Sequence, residues 1–307
     1  MKNLPTFILV AWASIVTLPA QAAPQAQELY LGSVAMDVPA AMVRHLTPLT
    51  TYLSKKTGLK ISFRASPNLG SAVNELGKDF TQIAYLTPVA YIDAHDKFKS
   101  QALVSPLTHG KSTFNLLVAV RRDSNIESMA DLKGKTFAFG DEKAILQRAV
   151  VVGGGINLDQ FSRFGFLNHY DNIAKAVLNK DFDAGILKDT VYEQFEAQGL
   201  RKIYTSPPLA SYLFAVSDRL PAATVKKLRA AFLSLKTDTP EGRTILKELD
   251  QGYDGFVAVE DKDYDVVRKL IAPFQKPSKE PLSKSNAPDE ISHPARFFVL
   301  RNWLSTV

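Results

Sequence analysis

Apolar residues in this chain gather in short runs, separated by stretches where they recur every three or four positions. Residues 29–34 form a run suited to a buried strand. Met42, Leu46, Leu49 and Leu53 then follow at intervals of four, three and four, which puts them on one face of a helix. Gly58 closes that helix, and Lys55 and Lys56 sit in its last turn, where the negative end of the helix dipole favours cations. Residues 59–64 predict a second strand, 69–76 a short helix and 82–86 a third strand. Pro88 opens the next helix, since proline has no N–H to lose at a first helical position. Strand, helix, strand, helix, strand in this order predicts a mostly parallel sheet covered by helices.

A second set of the same kind begins with an apolar strand at 116–121. Ser124 with Glu127 and Ser128 with Asp131 have capping-box spacing, and 135–139 predicts another strand. A helix is expected from about Glu142 to the triplet Gly153, Gly154 and Gly155. Another, capped by Asp171, turns Ile173, Ala176 and Val177 inward, and 182–187 returns as a strand. From Pro221 onward, Val225, Leu228, Phe232 and Leu235 mark an amphipathic helix with Lys226, Lys227 and Arg229 outside. Helices are also expected over 241–249 and 264–274. Two similar α/β units imply a bilobed molecule.

The two ends read differently. A positive start, an apolar run from Phe7 to Leu18 and small residues at Ala20 and Ala22 have the form of an export signal over residues 1–22. The run is short of the ~20 residues of a membrane span. The expectation is a soluble periplasmic protein whose mature chain starts near Ala23. With no cysteine, it must rely on an ordinary hydrophobic core and offers no thiol for an acyl anchor. Beyond Phe274, residues 275–307 carry Pro277, Pro281 and Pro288 among lysines and serines, then an aromatic segment at 295–304. This reads as a linker and a tail that docks on the body. The net charge of +6 is spread without a basic stripe interleaved with aromatics, which argues against nucleic acid as a partner.

Taken together, several segments make the chain resemble the phosphate/phosphite/phosphonate class of ABC-transporter substrate-binding proteins, a branch of the type II periplasmic binding proteins. The segments are Leu49-Thr-Thr-Tyr-Leu53 before Gly58, Ile83-Ala-Tyr-Leu-Thr-Pro88 with Tyr91, and Val118-Ala-Val-Arg-Arg-Asp-Ser124 with Ile126. They continue with Asp131-Leu-Lys-Gly-Lys-Thr136, Phe139-Gly-Asp141, His169, and Asp183-Ala-Gly185. The resemblance covers about residues 29–274. It implies an α/β fold of two lobes, each a mixed sheet flanked by helices, joined by two crossing hinge strands, with ligand closed between them. Residues 23–112 and 214–274 would form lobe 1, and 113–213 lobe 2. The implied function is capture of a small polar, anionic ligand, phosphonate-like or another oxyanion, by a monomer that presents it to an ABC permease. The alternative is a periplasmic sensor or interaction module of the same fold, signalling to a membrane or redox partner. One departure stands out. The family follows Gly-Asp with a Ser/Thr-rich turn that grips phosphoryl oxygens, whereas Gly140-Asp141 is followed by Glu142, Lys143 and Ala144.

Thr87 and Tyr91 follow a strand end, the usual crevice for ligands in open α/β sheets; Tyr85 belongs either to that crevice or to the core. Asp141 and Lys143 lie at a strand-to-helix turn. Asp141 is a ligand contact or simply a cap, and Lys143 is a charge standing in for the missing hydroxyls. His169 matches the family position, and Tyr170 is the neighbour that could take its place. Asp183 and Lys188 bracket a strand end and would favour opposite ligand charges. Five scattered histidines without a close pair suggest no metal, and no cofactor is expected. Neither a Gly-x-Ser-x-Gly elbow nor a His-Glu-x-x-His helix is present, so no enzyme activity is expected.

Overall fold

The computed structural model describes residues 28–33, 39–66 and 69–275; the export signal and the tail expected from the sequence lie outside them. The chain opens β1 (Glu28–Ser33), α1 (Pro39–Thr57), β2 (Lys60–Ala65), α2 (Leu69–Gly77), β3 (Ile83–Leu86), α3 (Pro88–Phe98) and β4 (Gln101–Thr108). After the short β5 (Thr113–Phe114) come β6 (Leu116–Arg121), β7 (Thr136–Phe139), α4 (Ile145–Gly153), β8 (Arg163–Phe166) and α5 (Tyr170–Leu178). Then follow β9 (Ala184–Lys188), α6 (Asp189–Glu196) and β10 (Leu200–Thr205). The return is β11 (Leu209–Ala210), β12 (Leu213–Val216), α7 (Ala222–Leu233), α8 (Pro240–Leu249), β13 (Tyr253–Ala258) and α9 (Asp265–Gln275).

These strands make two sheets. One has six strands in the order β13-β4-β12-β3-β1-β2, the other five in the order β10-β6-β9-β7-β8. In the first, β1 pairs in parallel with β2 and β3, while β12 runs antiparallel to β3 and β4. The sheet is therefore mixed rather than mostly parallel, because the strand returning from the second sheet enters from the opposite end. In the second sheet β7 pairs in parallel with β8 and β9, and β6 runs antiparallel to β9 and β10. The chain passes between the sheets twice, and the two passes pair as β5 with β11, Leu209 opposite Phe114. Leu116 and Ser206 lock the passes further: Ser206 N donates to Leu116 O at 2.9 Å, and Leu116 N donates to the Ser206 hydroxyl at 3.0 Å.

The helical periodicities point where expected. Leu46, Leu49 and Leu53 of α1 are buried, as are Val225, Leu228 and Phe232 of α7. Phe232 packs at 4.7 Å from Phe214 and 5.2 Å from Phe256. Two helix starts differ from the sequence pattern. Residues 141–144 form a turn, with the Asp141 carboxylate accepting from Lys143 N at 2.7 Å, so α4 begins only at Ile145. α5 begins at Tyr170 with His169 in the cap position, which leaves Asp171 inside its first turn.

α9 carries the core across the molecule. It follows a strand of the first sheet, yet its Val267 and Ile271 belong to the same buried cluster as Val150 and Val151 of α4 and Tyr91 of α3. At its start Tyr264 is fully buried, 4.7 Å from the Tyr91 ring, with its hydroxyl donating to Ser211 O beside β11 at 3.4 Å.

Candidate ligand cavity

β3, β7, β8 and β9 each end at one cleft, and each is followed by a helix whose amino end opens there. The cleft holds a cavity of about 630 Å³. Pro88 of α3, Ile145 of α4, Tyr170 of α5 and Lys188 just before α6 all line it. This is the crevice outside strand carboxyl ends where ligands of open α/β sheets lie, and the orphan N–H groups of helix starts make such a place electropositive.

Of the sequence candidates, Thr87, Asp141, Lys143, Tyr170 and Lys188 line the cavity. The Thr87 hydroxyl also caps α3, accepting from Ala90 N at 3.2 Å. Lys188 ends β9 opposite Leu116 of β6, with its ammonium 5.5 Å from the centre of the Phe114 ring. The carboxylate next to it is occupied: Asp189 accepts from Asn115 N and Thr190 N, both at 2.8 Å.

Tyr91, His169 and Asp183 lie outside the lining. Tyr91 is one turn into α3 and faces the turn that leads into α9, where its hydroxyl donates to Asp261 at 3.0 Å, a carboxylate also bound by Arg268 of α9 at 2.8 Å. His169 is exposed in an extended conformation (φ −102°, ψ 143°). Successive side chains of extended backbone point to opposite sides, so Tyr170 faces the cavity and His169 does not. Asp183 sits at the amino end of its strand region, the edge away from the cleft. Its carboxylate accepts from the backbone and hydroxyl of Thr136, both at 2.9 Å, and ties β7 to β9.

The cavity also has residues that the sequence reading left unassigned or missed. Tyr85 lines it, with its ring 4.7 Å from Phe214 and 5.6 Å from Tyr212, and its hydroxyl bonded to that of Tyr253. Tyr212, Tyr253, Asn168 and Gln147 complete that part of the wall. Burial pushes the phenols of Tyr85, Tyr170, Tyr212 and Tyr253 above the ordinary tyrosine value, so all four are neutral at physiological pH. In the hydroxyl pair, whichever oxygen accepts keeps its own O–H for a ligand. Unfolded tyrosines ionise near pH 10. Stability from these raised phenols is therefore full below about pH 10 and falls as the pH climbs past it. Denaturant midpoints measured from pH 7 to 11 should be level at first and then decline, and the double variant Tyr85→Phe, Tyr253→Phe should decline less steeply.

Gln147 braces the turn after β7. Its side-chain oxygen accepts from Gly140 N at 2.7 Å, and its amide reaches the Tyr170 hydroxyl. A Cβ on Gly140 would stand 2.8 Å from the Gln147 nitrogen and 3.2 Å from Asn168 O. Gly140→Ala is thus expected to cost about 1–3 kcal/mol by overpacking and to shift Gln147 off Tyr170; a urea melt and a ligand titration would read both effects. Asn168 holds φ at +64°, a backbone state that asparagine tolerates better than most residues. Its N–H donates to Gly140 O at 3.1 Å.

Two α/β sheets, two strands crossing between them, and a cleft where strand ends and helix starts meet define a type II periplasmic binding protein. The chain belongs to the family described as the periplasmic substrate-binding proteins of phosphonate ABC transporters, whose model matches residues 31–264. As a member it captures a small molecule for an ABC transporter. The phosphate-import protein PhnD of Mycolicibacterium smegmatis is 26% identical over 256 residues, covering 73% of this chain and 78% of that one. Among solved structures, PhnD1 of Prochlorococcus marinus in complex with methylphosphonate superposes with a TM-score of 0.66 at 17% identity, covering 82% of this chain and all of that one. A Xanthomonas citri protein bound to ATP gives 0.67 at 19% identity, covering 81% and 97%. The family resemblance drawn from the sequence segments agrees with these matches. Among the described residues no helix is long and apolar enough to cross a membrane.

Proposed function

We propose that the protein binds an oxyanion of the phosphate or phosphonate class in this cavity and delivers it to the membrane permease of an ABC transporter. The charge distribution carries the reading. Lys143 and Lys188 line the wall built by the second sheet, and among the described residues neither is within ion-pair distance of a carboxylate. The amino ends of α4, α5 and α6 open beside them, and the residue in the cap position of each makes no side-chain bond to its helix, although in α6 the Asp189 carboxylate takes the Thr190 N–H. An anion is the ligand that such a wall stabilises. Lys188 is the main anchor, Lys143 closes from the exposed turn, and Tyr170 and Thr87 contribute hydroxyls. The names of the mycobacterial and Prochlorococcus relatives, which record phosphate import and methylphosphonate, support the same class.

The same reading has residues 1–22 as an export signal and the mature protein as a monomer. Its lobes are 23–112 with 214–274, and 113–213, a division supported by the passes at β5 and β11. Ligand bridging the lobes would hold them closed by hinge motion. A thermal-shift screen of phosphate, phosphite, methylphosphonate and sulfate tests the assignment. A ligand at 100 times its dissociation constant adds about 2.7 kcal/mol, enough to raise the midpoint by several degrees. If no oxyanion moves the midpoint at millimolar concentration, the oxyanion reading falls and a sensor or docking role gains.

A further inference from the structure

The cavity is two-sided. Its cationic groups, Lys143 and Lys188, belong to the second-sheet side, whereas the first-sheet side presents Tyr85, Tyr212, Tyr253, Leu249 and Val89. The turn that follows β7 carries no hydroxyl. Phe114 of the crossing strand β5, Leu116 of β6, and Ile145 and Leu146 of α4 extend the apolar surface toward the lysines. Two carboxylates also line the cavity, Asp141 and Asp250. Both are exposed, and each accepts a backbone N–H of its own turn, from Lys143 and Gly252, at 2.7 Å. Asp250 stands beside the Tyr85 and Tyr253 phenols and its charge helps to raise them, so an ammonium-bearing substituent is the competing occupant of this side.

Size agrees with a substituted ligand: the cavity of about 630 Å³ lies within the range that accommodates small organic ligands. We infer that the preferred ligand is a monosubstituted oxyanion with an apolar substituent of about aromatic-ring size, its anionic head on Lys188 and Lys143 and its substituent against Tyr85, Tyr212 and Leu249. This deepens the oxyanion reading above and rests on it. A head held by one sheet and a body held by the other gives the ligand purchase on both sides of the cleft.

Calorimetric titration of the protein with inorganic phosphate, methylphosphonate, phenylphosphonate and 2-aminoethylphosphonate tests the inference. Phenylphosphonate should bind about tenfold or more tightly than methylphosphonate, the scale on which an apolar pocket separates ligands by size. Tyr212→Ala should weaken phenylphosphonate by a larger factor than methylphosphonate, and Leu249→Asn provides the same comparison should the tyrosine variant fail to fold. Phosphate, methylphosphonate or the ammonium-bearing phosphonate binding as tightly as phenylphosphonate would overturn the inference while leaving the oxyanion reading intact. No binding by any of the four would overturn both.

Discussion

Replacing Lys188 with methionine is expected to weaken oxyanion binding by roughly 30- to 1,000-fold, the equivalent of about 2–4 kcal/mol. Methionine keeps an unbranched apolar stem against Phe114 and removes only the ammonium, which lies 5.5 Å from the ring centre. No carboxylate among the described residues stands within ion-pair distance of that ammonium, so its charge is open to a ligand in a half-buried site. Lys143 is exposed on the turn before α4 and is more strongly screened by solvent, so Lys143→Ala should weaken binding by only about three- to tenfold. Titrations at low and high salt separate the two further: the Lys143 contribution should shrink with salt more than the Lys188 contribution. Equal affinity in wild type and Lys188→Met would remove this residue as the anchor.

The largest expected change in stability comes from Tyr264, far from the lysines. Its ring is fully buried between α3 and the crossing strand β11, in the cluster that joins α9 to α4. Tyr264→Ala should cost about 3–5 kcal/mol through lost burial and the cavity left behind. For a protein of this size that lowers the thermal midpoint by roughly 10 °C. Tyr264→Phe keeps the ring and loses only the hydrogen bond to Ser211 O, worth about 1 kcal/mol. Equal losses in the two variants would place the stabilisation in the hydroxyl rather than the ring, against this account. Because Tyr264 abuts the crossing strand, the alanine variant is also the one in which hinge motion and stability should change together.

How much of this was legible beforehand varies by element and for a physical reason. α1 and α7 could be read from Leu46, Leu49 and Leu53 and from Val225, Leu228 and Phe232, since a one-sided helix writes its period into the chain. β1, β3, β6 and β9 were visible as apolar runs between turn residues. β4, β12 and β13 were not read from the sequence, although Leu213–Val216 is as apolar as Ile83–Leu86. Their place in the first sheet depends on pairing with one another across long stretches of chain, as Val104 does with both Phe214 and Ala258. The start of α4 was misplaced because Asp141 and Glu142 resemble a helix opening, while the Asp141 carboxylate in fact closes a turn on Lys143 N.

The candidate site divides in the same way. Thr87 and Lys188, at or next to a strand end, and Asp141, at a strand-to-helix turn, could be found because a strand carboxyl end announces a crevice in this class of fold, while Tyr170 entered only as the neighbour of the family's His169. Tyr91 and Asp183 were read as neighbours of that crevice, but one turn of helix rotates Tyr91 toward Asp261, and Asp183 stands at the wrong end of its strand. Tyr212 and Tyr253 had no such marker, since each reaches the cavity only because β12 and β13 join the first sheet from the opposite direction.

What the amino-acid order determined alone is local: the helix faces, the strand runs, the family to which the segments belong, and the two lysines that stand at strand or turn ends. Those follow from short-range periodicity and from chemistry carried by single residues. Only the tertiary structure decided which side chains share a cavity, that its cations gather on one side and its tyrosines on the other, and that α9 binds the two units at the back. Such facts depend on contacts between residues far apart in the chain, where the fold supplies the distance and direction that a linear pattern leaves open.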